Sequence, residues 1–190
     1  MPAAKNKTAR PSSLPLPGDL PAKAELARML RVDHAGEFGA QRIYAGQISV
    51  LGNSRLGDEI RHMAAQEDEH FEAFERLLPQ ERVRPTALRP IWHVVGFALG
   101  AVTARMGEQA AMACTVAVEE VIVEHYARQI ERIRDTRPDI AKLLQKFKDE
   151  EDEHREIGLA NDAELAPAYQ LLRRVIRAGS KGAIWLSKRV

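Results

Sequence analysis

The strongest constraint on the fold of this chain is a four-residue sequence that occurs twice. Glu67-Asp68-Glu69-His70 recurs letter for letter as Glu151-Asp152-Glu153-His154. In each copy the first glutamate and the histidine are three residues apart, so on a helix both side chains project from one face. A carboxylate and a neutral imidazole that converge in this way suit a first-row transition metal. One such pair is common on solvated helices, whereas two identical pairs indicate an internal duplication.

Each copy of the motif has a partner glutamate upstream. Glu67 follows Glu37 by 30 residues, and Glu151 follows Glu119 by 32 residues. The midpoints of these intervals fall in two segments around residues 52 and 135 that have turn-like composition. Residues equidistant from the turn of a helical hairpin lie at one height, here roughly 22 Å from the turn. Each hairpin is therefore predicted to bring two glutamates and one histidine to the same level.

The remaining sequence favours helices over strands. Helix-favouring residues are abundant, aromatic residues make up only 5% of the chain, and no alternating Val/Ile-rich run predicts a strand. The predicted helices cover residues 22–50, 55–78, 108–134 and 140–159, an apolar segment covers residues 91–106, and a last helix follows Pro167 and reaches Trp185 or beyond. Ser54 and either Thr136 or Asp139 are the predicted N-caps.

The order of the connections predicts how the helices are wired. Short turns join the helices within each pair, and a long segment from Pro79 to Gly107 joins the two pairs. One long crossover between two helical hairpins is typical of ferritin-like bundles. We therefore predict an all-α, ferritin-like four-helix bundle as a single domain at residues 22–190. Residues 1–21, whose start is basic and rich in proline with no apolar run, are predicted to be a disordered tail rather than a targeting sequence.

The two hairpins together collect four carboxylates and two imidazoles. Burying four carboxylates without counter-charge would cost several kcal/mol for each of them, whereas two divalent cations make such a core neutral. The residue types match the recurring di-iron or di-manganese ligand set, and we take iron as the metal. The candidate ligands are Glu37, Glu67, His70, Glu119, Glu151 and His154. The alternative, that these are solvated surface residues, is opposed by the small residues around Glu37 and by the apolar run before Glu119.

Some neighbouring residues have weaker interpretations. Glu120 adjoins Glu119 but points about 100° away from it on a helix, so we take Glu119 as the ligand. Gln66 and Glu150 each precede a motif glutamate, and each could accept a hydrogen bond from a ligand histidine across the bundle. His34 lies one turn before Glu37 and is either a hydrogen-bond donor near the ligands or a surface histidine.

Two segments suggest a membrane-facing side. The apolar run at residues 91–102 is too short to span a bilayer, so it is either a buried helix or a segment that rests in the interface. The last helix has no acidic residue after Glu164, and it carries Trp185 and an apolar face. Its basic residues are Arg173, Arg174, Arg177, Lys181, Lys188 and Arg189. A basic amphipathic helix suits an anionic membrane surface. The alternative is a helix that packs on the bundle with a solvated basic edge.

Four stretches of the chain resemble one known family. They are residues 31–40 (RVDHAGEFGA), 42–47 (RIYAGQ), 113–120 (ACTVAVEE) and 162–169 (DAELAPAY). They look like the demethoxyubiquinone hydroxylases, and the resemblance extends from about Leu26 to the C-terminus. It implies a di-iron monooxygenase that hydroxylates the ring of 5-demethoxyubiquinone, a polyprenyl benzoquinone, with O₂ and two electrons.

The resemblance also implies site residues and surroundings. All six candidate ligands match family positions, with Glu67 and Glu151 as bridges and Glu37 and Glu119 as terminal ligands. His125 and Tyr126 resemble family residues near the site that relay electrons or orient the quinone. The family implies peripheral attachment to the cytoplasmic face of a bacterial inner membrane, or to the matrix side of a mitochondrial inner membrane. A homo-oligomer or a ubiquinone-biosynthesis complex is compatible with this setting.

Other functions are compatible with parts of the pattern. A ferritin-like iron-storage or peroxide-scavenging protein could use the same ligands but does not need an interfacial apolar segment. A scaffold that kept the metal fold and lost activity is opposed by the complete ligand set. The net charge of +1 gives no argument for nucleic acid, and the single cysteine, Cys114, cannot form an internal disulfide. No nucleotide-binding glycine motif identifies the electron donor.

Overall fold

The computed structural model of this chain describes residues 20–190. Its helices are α1 (Ala22–Leu51), α2 (Gly57–Gln80), α3 (Arg89–Arg105), α4 (Glu108–Ile133), α5 (Pro138–Ala160) and α6 (Tyr169–Ser187), with a short 3₁₀ helix at Ala163–Leu165. No strand occurs among residues 20–190, so the all-α prediction is confirmed. The predicted tail lies almost wholly on residues 1–19, outside the described part of the chain, and stays a prediction.

Helices α1, α2, α4 and α5 form the bundle as two hairpins. Helix α1 packs on α2 and α4 packs on α5, as the short connections predicted. Two layers of buried apolar side chains hold the bundle, one around Ile60 and Met112 and the other around Phe74 and Leu144. Burial of each large apolar side chain contributes about 1.5–3 kcal/mol, so these layers can stabilise the bundle on either side of a polar level.

Each hairpin is followed by a further helix that packs back onto the first helix of the same hairpin. Helix α3 lies on α1, and α6 lies on α4. The long crossover therefore contains a packed helix, and the duplication extends to two units of three helices. Within residues 20–190 no helix is both long enough and apolar enough to cross a membrane.

The predicted side-chain N-caps are wrong. Helix α2 begins at Gly57 instead of residue 55, and Ser54 accepts a hydrogen bond from the backbone of Leu56 inside the turn (3.2 Å). Helix α5 begins at Pro138, and neither Thr136 nor Asp139 caps it. Proline at the first helical position leaves one fewer free N–H in the first turn, and its fixed φ already suits the helix. The local rule for caps therefore did not apply at this turn.

Candidate metal centre

The six predicted ligands meet at one level in the middle of the bundle. Helices α1 and α4 each bring one glutamate, and α2 and α5 each bring a glutamate and a histidine. All six side chains are buried. They form two overlapping groups whose ligand atoms lie within 4.8 Å of one another: Glu37, Glu67, His70 and Glu151, and Glu67, Glu119, Glu151 and His154. We call these groups position A and position B. Glu67 and Glu151 belong to both.

The histidines turn the same ring nitrogen to the centre. The Nδ1 atom of His70 is 3.1 Å from Glu151 Oε1 and 3.5 Å from Glu37 Oε2. The Nδ1 atom of His154 is 3.1 Å from Glu151 Oε2 and 3.3 Å from Glu67 Oε1. In both rings Nε2 points away from the four central glutamates, toward Glu150 in His70 and toward Gln66 in His154. Nδ1 is therefore the atom that each imidazole can offer to a metal.

The carboxylate oxygens at this level lack enough hydrogen-bond donors. Both oxygens of Glu67, Oε2 of Glu37 and Oε2 of Glu119 are buried without a hydrogen-bond partner. Burial, and then the negative charge of neighbouring glutamates, raises the pKa of Glu67 and of Glu119 well above its usual range. Buried oxygens of this kind are normally satisfied by hydrogen bonds or by a metal. The residues therefore fit a pair of divalent cations.

The outer nitrogens of the histidines have the partners that the sequence predicted. His154 Nε2 donates a hydrogen bond to Gln66 Oε1 at 2.9 Å. His70 Nε2 donates to Glu150 Oε2 at 2.9 Å, across the bundle. Such partners set the tautomer and orientation of a metal-binding imidazole, with Nε2 protonated and Nδ1 free to bind. Both predicted hydrogen bonds are confirmed.

Two tyrosines cross between the hairpins to hold the terminal glutamates. Tyr44 on α1 donates to Glu119 Oε1 on α4 at 3.0 Å, and Tyr126 on α4 donates to Glu37 Oε1 on α1. Burial, followed by the neighbouring carboxylates, raises the pKa of both tyrosines well above its usual value, so both phenols remain donors. The sequence analysis gave a role only to Tyr126. Tyr44 follows Glu37 by seven residues, as Tyr126 follows Glu119, and this common spacing was the sequence signal for a role of Tyr44.

A polar cluster that the sequence analysis missed lies beside Tyr126. Asp33 on α1 is buried, and its Oδ1 accepts a hydrogen bond from Gln129 Nε2 on α4 at 2.7 Å. The same amide donates to His125 Nε2 at 2.9 Å, and that nitrogen is 3.4 Å from Asp33 Oδ1. Burial raises the pKa of Asp33 despite these partners. His125 therefore belongs to a second polar cluster, one turn from Glu37, instead of to the ligand groups.

Two further residues of the sequence analysis have definite positions. Glu120 points away from the centre and pairs with Arg173 on α6 (2.7 Å), so the choice of Glu119 as the inward residue is confirmed. His34 has neither of its two predicted roles, because it is fully buried and its Nε2 lies 2.7 Å from Glu75 Oε1 on α2. The apolar surroundings of His34 lower its pKa, and it serves the packing of α1 on α2.

An apolar cavity of about 320 Å³ lies between α3 and α6, over α1 and α4. Val95 on α3 and Val175 on α6 line it and are also exposed on the outside, so the cavity reaches the surface between these helices. Its inner wall includes Gly36 and Val118, which adjoin two candidate ligands in sequence. A Cβ on Gly36 would meet no atom within 4 Å, so this glycine provides room in the cavity.

Comparison with known proteins gives matches over most of the chain. The sequence pattern of the family described as ubiquinone biosynthesis protein COQ7 matches residues 24–187. The chain is 52% identical over 173 residues to the NADPH-dependent 3-demethoxyubiquinone 3-hydroxylase, mitochondrial, of Homo sapiens (89% of this chain, 80% of that protein). It is 52% identical over 177 residues to the 3-demethoxyubiquinol 3-hydroxylase of Rhodospirillum rubrum (92% and 83%). It is 38% identical over 184 residues to the 5-demethoxyubiquinone hydroxylase, mitochondrial, of Saccharomyces cerevisiae (88% and 79%).

Proposed function

This chain belongs to the family of ubiquinone biosynthesis protein COQ7, and from that membership we infer that it is a demethoxyubiquinone hydroxylase, a monooxygenase of ubiquinone biosynthesis. Its substrate is a quinone. The observation that carries the inference is the complete buried set of four glutamates and two histidines in a chain of this family. The relatives at 52% identity are named as hydroxylases, which favours this function over iron storage or peroxide scavenging.

We propose that the centre holds two iron ions. Glu67 and Glu151 would hold both ions, because each belongs to both ligand groups, while Glu37 with His70 and Glu119 with His154 would each hold one ion. The tyrosines hold the terminal carboxylates in place from the opposite hairpin. When bound, the irons supply the reductive activation of O₂ that hydroxylation of a ring carbon requires. The apolar layers on either side exclude water from the ligands.

The cavity between α3 and α6 is the proposed quinone site. Its lining is almost wholly apolar, as suits a benzoquinone and the first part of an isoprenoid tail, and its inner wall adjoins the ligand level. Trp92 lines the cavity and donates a hydrogen bond to Ser187 on α6 (3.2 Å), so it connects the two walls. Phe97, which lies on the same helix as Trp92, does not line the cavity and lies under the guanidinium of Arg42 (5.6 Å).

A membrane surface is the proposed source of the quinone. The outer faces of α3 and α6 expose apolar side chains beside the mouth of the cavity: Ile91, Val94, Val95, Val102, Leu171, Val175, Trp185 and Leu186. Contiguous exposed apolar residues of this kind mark interaction surfaces. An entrance between two such faces lets the ring leave the bilayer while the tail stays in it.

The basic charge of α6 contributes less to this attachment than the sequence analysis expected. Arg173 and Arg177 pair with Glu120 on α4, and Lys181 lies 3.5 Å from Glu124. Arg173 and Arg177 serve to dock α6, so they are not free to bind lipid headgroups. Among the basic residues of this segment, Arg174, Lys181 and Arg189 are exposed. We therefore propose that attachment is mainly apolar, with a smaller dependence on anionic lipid.

Electron supply and the His125 cluster belong to the same proposal. The name of the human relative specifies NADPH dependence, and we propose NADPH as the electron source here. Tyr126 connects the cluster to Glu37, while His125 is held beside Asp33 by Gln129. These contacts support a role for His125 and Tyr126 in relaying electrons or orienting the ring.

The decisive experiment is isotope labelling of the product. The iron-loaded, reduced protein, given ¹⁸O₂ and a demethoxyubiquinone with a short tail, is expected to add one ¹⁸O to the ring, detected by mass spectrometry. Oxygen from labelled water in that position would exclude monooxygenation.

A Trp92→Gln variant is expected to lose more activity with long-tailed than with short-tailed substrates. Leu165→Ser, an exposed leucine outside α3 and α6 (71% exposed), is the control and should treat both substrates alike.

A further inference from the structure

The two ligand histidines have outer partners of different charge. Gln66 and Glu150 hold the same place in the duplication, since each immediately precedes the glutamate of its motif. Each accepts the Nε2–H of the histidine from the opposite hairpin, and both distances are 2.9 Å. One acceptor is a neutral amide and the other is a carboxylate. A duplication that preserved the geometry therefore did not preserve the charge.

The polar contacts of the two histidines on the side of the proposed metal centre are closely matched. Each Nδ1 is 3.1 Å from an oxygen of Glu151, and the terminal glutamate of each position is held by a tyrosine. The bridging carboxylates are common to both positions, so they cannot distinguish one from the other. Among the polar contacts of the two rings, the partner of Nε2 is thus the main difference between positions A and B.

A carboxylate acceptor makes an imidazole a better metal ligand than an amide acceptor does. A hydrogen bond from Nε2–H to a negative group moves electron density onto the ring, which raises the basicity of Nδ1. The ring of Phe147 lies 4.1 Å from that of His70 and shields the imidazole from water, which keeps the local dielectric low. Glu150 is itself anchored, since its other oxygen lies 3.3 Å from Lys146 Nζ and its side chain is only 22% exposed.

We propose that Glu150 makes position A the tighter metal site, the one that fills first, and that Gln66 leaves position B weaker. This inference rests on the proposed metal centre but not on the proposed reaction. Loss of a hydrogen-bond partner of this kind typically costs about 10–100-fold in metal affinity. The two positions are therefore expected to differ by about 10-fold or more, and the metal-free protein should load in two separate steps.

Calorimetric titration of the metal-free chain with Co²⁺ under anaerobic conditions tests the proposal without any turnover. The wild type should show two steps. Glu150→Gln should weaken the first step by about 10-fold or more and merge it with the second. Gln66→Glu should also merge the steps, but by strengthening the second. The double variant, Glu150→Gln with Gln66→Glu, should restore two steps. Because one arm gains affinity, a loss through poor folding cannot imitate the whole pattern.

The location of the first ion completes the test. In crystals prepared with one equivalent of Co²⁺, anomalous scattering should place the ion beside His70 in the wild type and beside His154 in the double variant. A first ion beside His154 in the wild type would overturn the proposal, as would equal weakening of both steps by Glu150→Gln. Absence of any Co²⁺ binding would overturn the metal centre as well. Normal two-step binding in a protein that fails to hydroxylate quinone would leave this inference standing and contradict the proposed function.

Discussion

The first three helices and the last three are two versions of one unit that attach their outer helix by different means. Helix α3 contacts α1 through glycines, and a Cβ on Gly46 or Gly100 would overlap backbone atoms of the facing helix. Helix α6 is instead held on α4 by ion pairs from Arg173 and Arg177 to Glu120. The ligand motifs of the two units are nevertheless identical. The proposed metal site constrains residue identity in both units, whereas an outer helix only needs to form a wall of the cavity.

The units also differ beside the terminal glutamates. Gln47 and Gln129 occupy equivalent places three residues after the two tyrosines. Gln47 pairs with Thr115 (3.4 Å), but Gln129 pairs with the buried carboxylate of Asp33 (2.7 Å). A neutral pair is therefore sufficient for packing in one unit. The ionisable pair in the other unit, beside His125, indicates a role beyond packing.

The largest effect should come from removing a residue that the two units share. Glu67→Ala or Glu151→Ala is expected to reduce the iron content from about two ions per chain to nearly none, because each carboxylate serves both positions. Glu37→Ala or Glu119→Ala should leave about one ion, because each belongs to one position only. Metal analysis after anaerobic loading and desalting gives the number of iron ions per chain. Full iron in a Glu67 or Glu151 variant would contradict the assignment of bridges.

The next largest effect should come from the contact between α1 and α3. Gly100→Ala places a methyl group against the carbonyl of Ile43 and should lower the free energy of unfolding by about 1–3 kcal/mol or more. Gly182→Ala on α6 is the matched control, since its Cβ meets no atom within 4 Å. That change should raise stability by up to about 1 kcal/mol. Urea unfolding followed by circular dichroism measures both, and equal losses would show that the outer helices pack alike.

A third comparison uses the pH dependence of folding stability to distinguish the buried carboxylate of Asp33 from the neutral Thr115 at the equivalent position in the other unit. Burial raises the pKa of Asp33 in the fold, so the folded chain binds a proton more tightly than the unfolded chain does. The stability contributed at this position is present below the unfolded pKa and is lost as the pH rises through the folded pKa. Asp33→Asn, which keeps an acceptor for Gln129, should therefore gain stability relative to the wild type as the pH rises above about 4, by at most about 1.4 kcal/mol per pH unit.

The control for this comparison lies in the other unit. Thr115→Ala removes the equivalent partner of Gln47 without removing an ionisable group, so its stability difference from the wild type should not vary with pH. The nearby ionisable groups, His125 on α4 and Lys188 after α6, are present in both variants. A pH-independent difference between Asp33→Asn and the wild type would show that the carboxylate titrates alike in the folded and unfolded chains.

The smallest effect should come from the ion pairs of α6. Glu120→Gln removes the partner of two arginines whose side chains are partly exposed (34% and 22%), so water screens the loss. The expected cost is about 1 kcal/mol, and it should shrink at high salt. The control is Glu131→Gln, which changes an exposed residue on the same helix. It should lower the free energy of unfolding by less than about 0.5 kcal/mol. An effect of Glu120→Gln that is insensitive to salt would indicate that packing rather than charge holds α6.

The sequence by itself determined the bundle and the candidate ligands. Helical periodicity is local, so a repeated motif with a glutamate at matching distance from each turn was enough to place the six candidate ligands at one level. The same reasoning predicted that Gln66 and Glu150 would reach the histidines of the opposite hairpin. It failed at the helix starts, because α2 and α5 both begin without a side-chain cap.

The tertiary structure alone decided the contacts between distant elements. Tyr44 reaches Glu119 across 75 residues of chain, and Asp33 reaches Gln129 across 96. It also turned Arg173 and Arg177 toward Glu120, where the sequence suggested a lipid surface. A basic amphipathic pattern is the same whether its charges face lipid or a carboxylate. Only the docking of α6 on α4 chooses between them, because the free energy of an ion pair depends on the position of both partners and on their access to water.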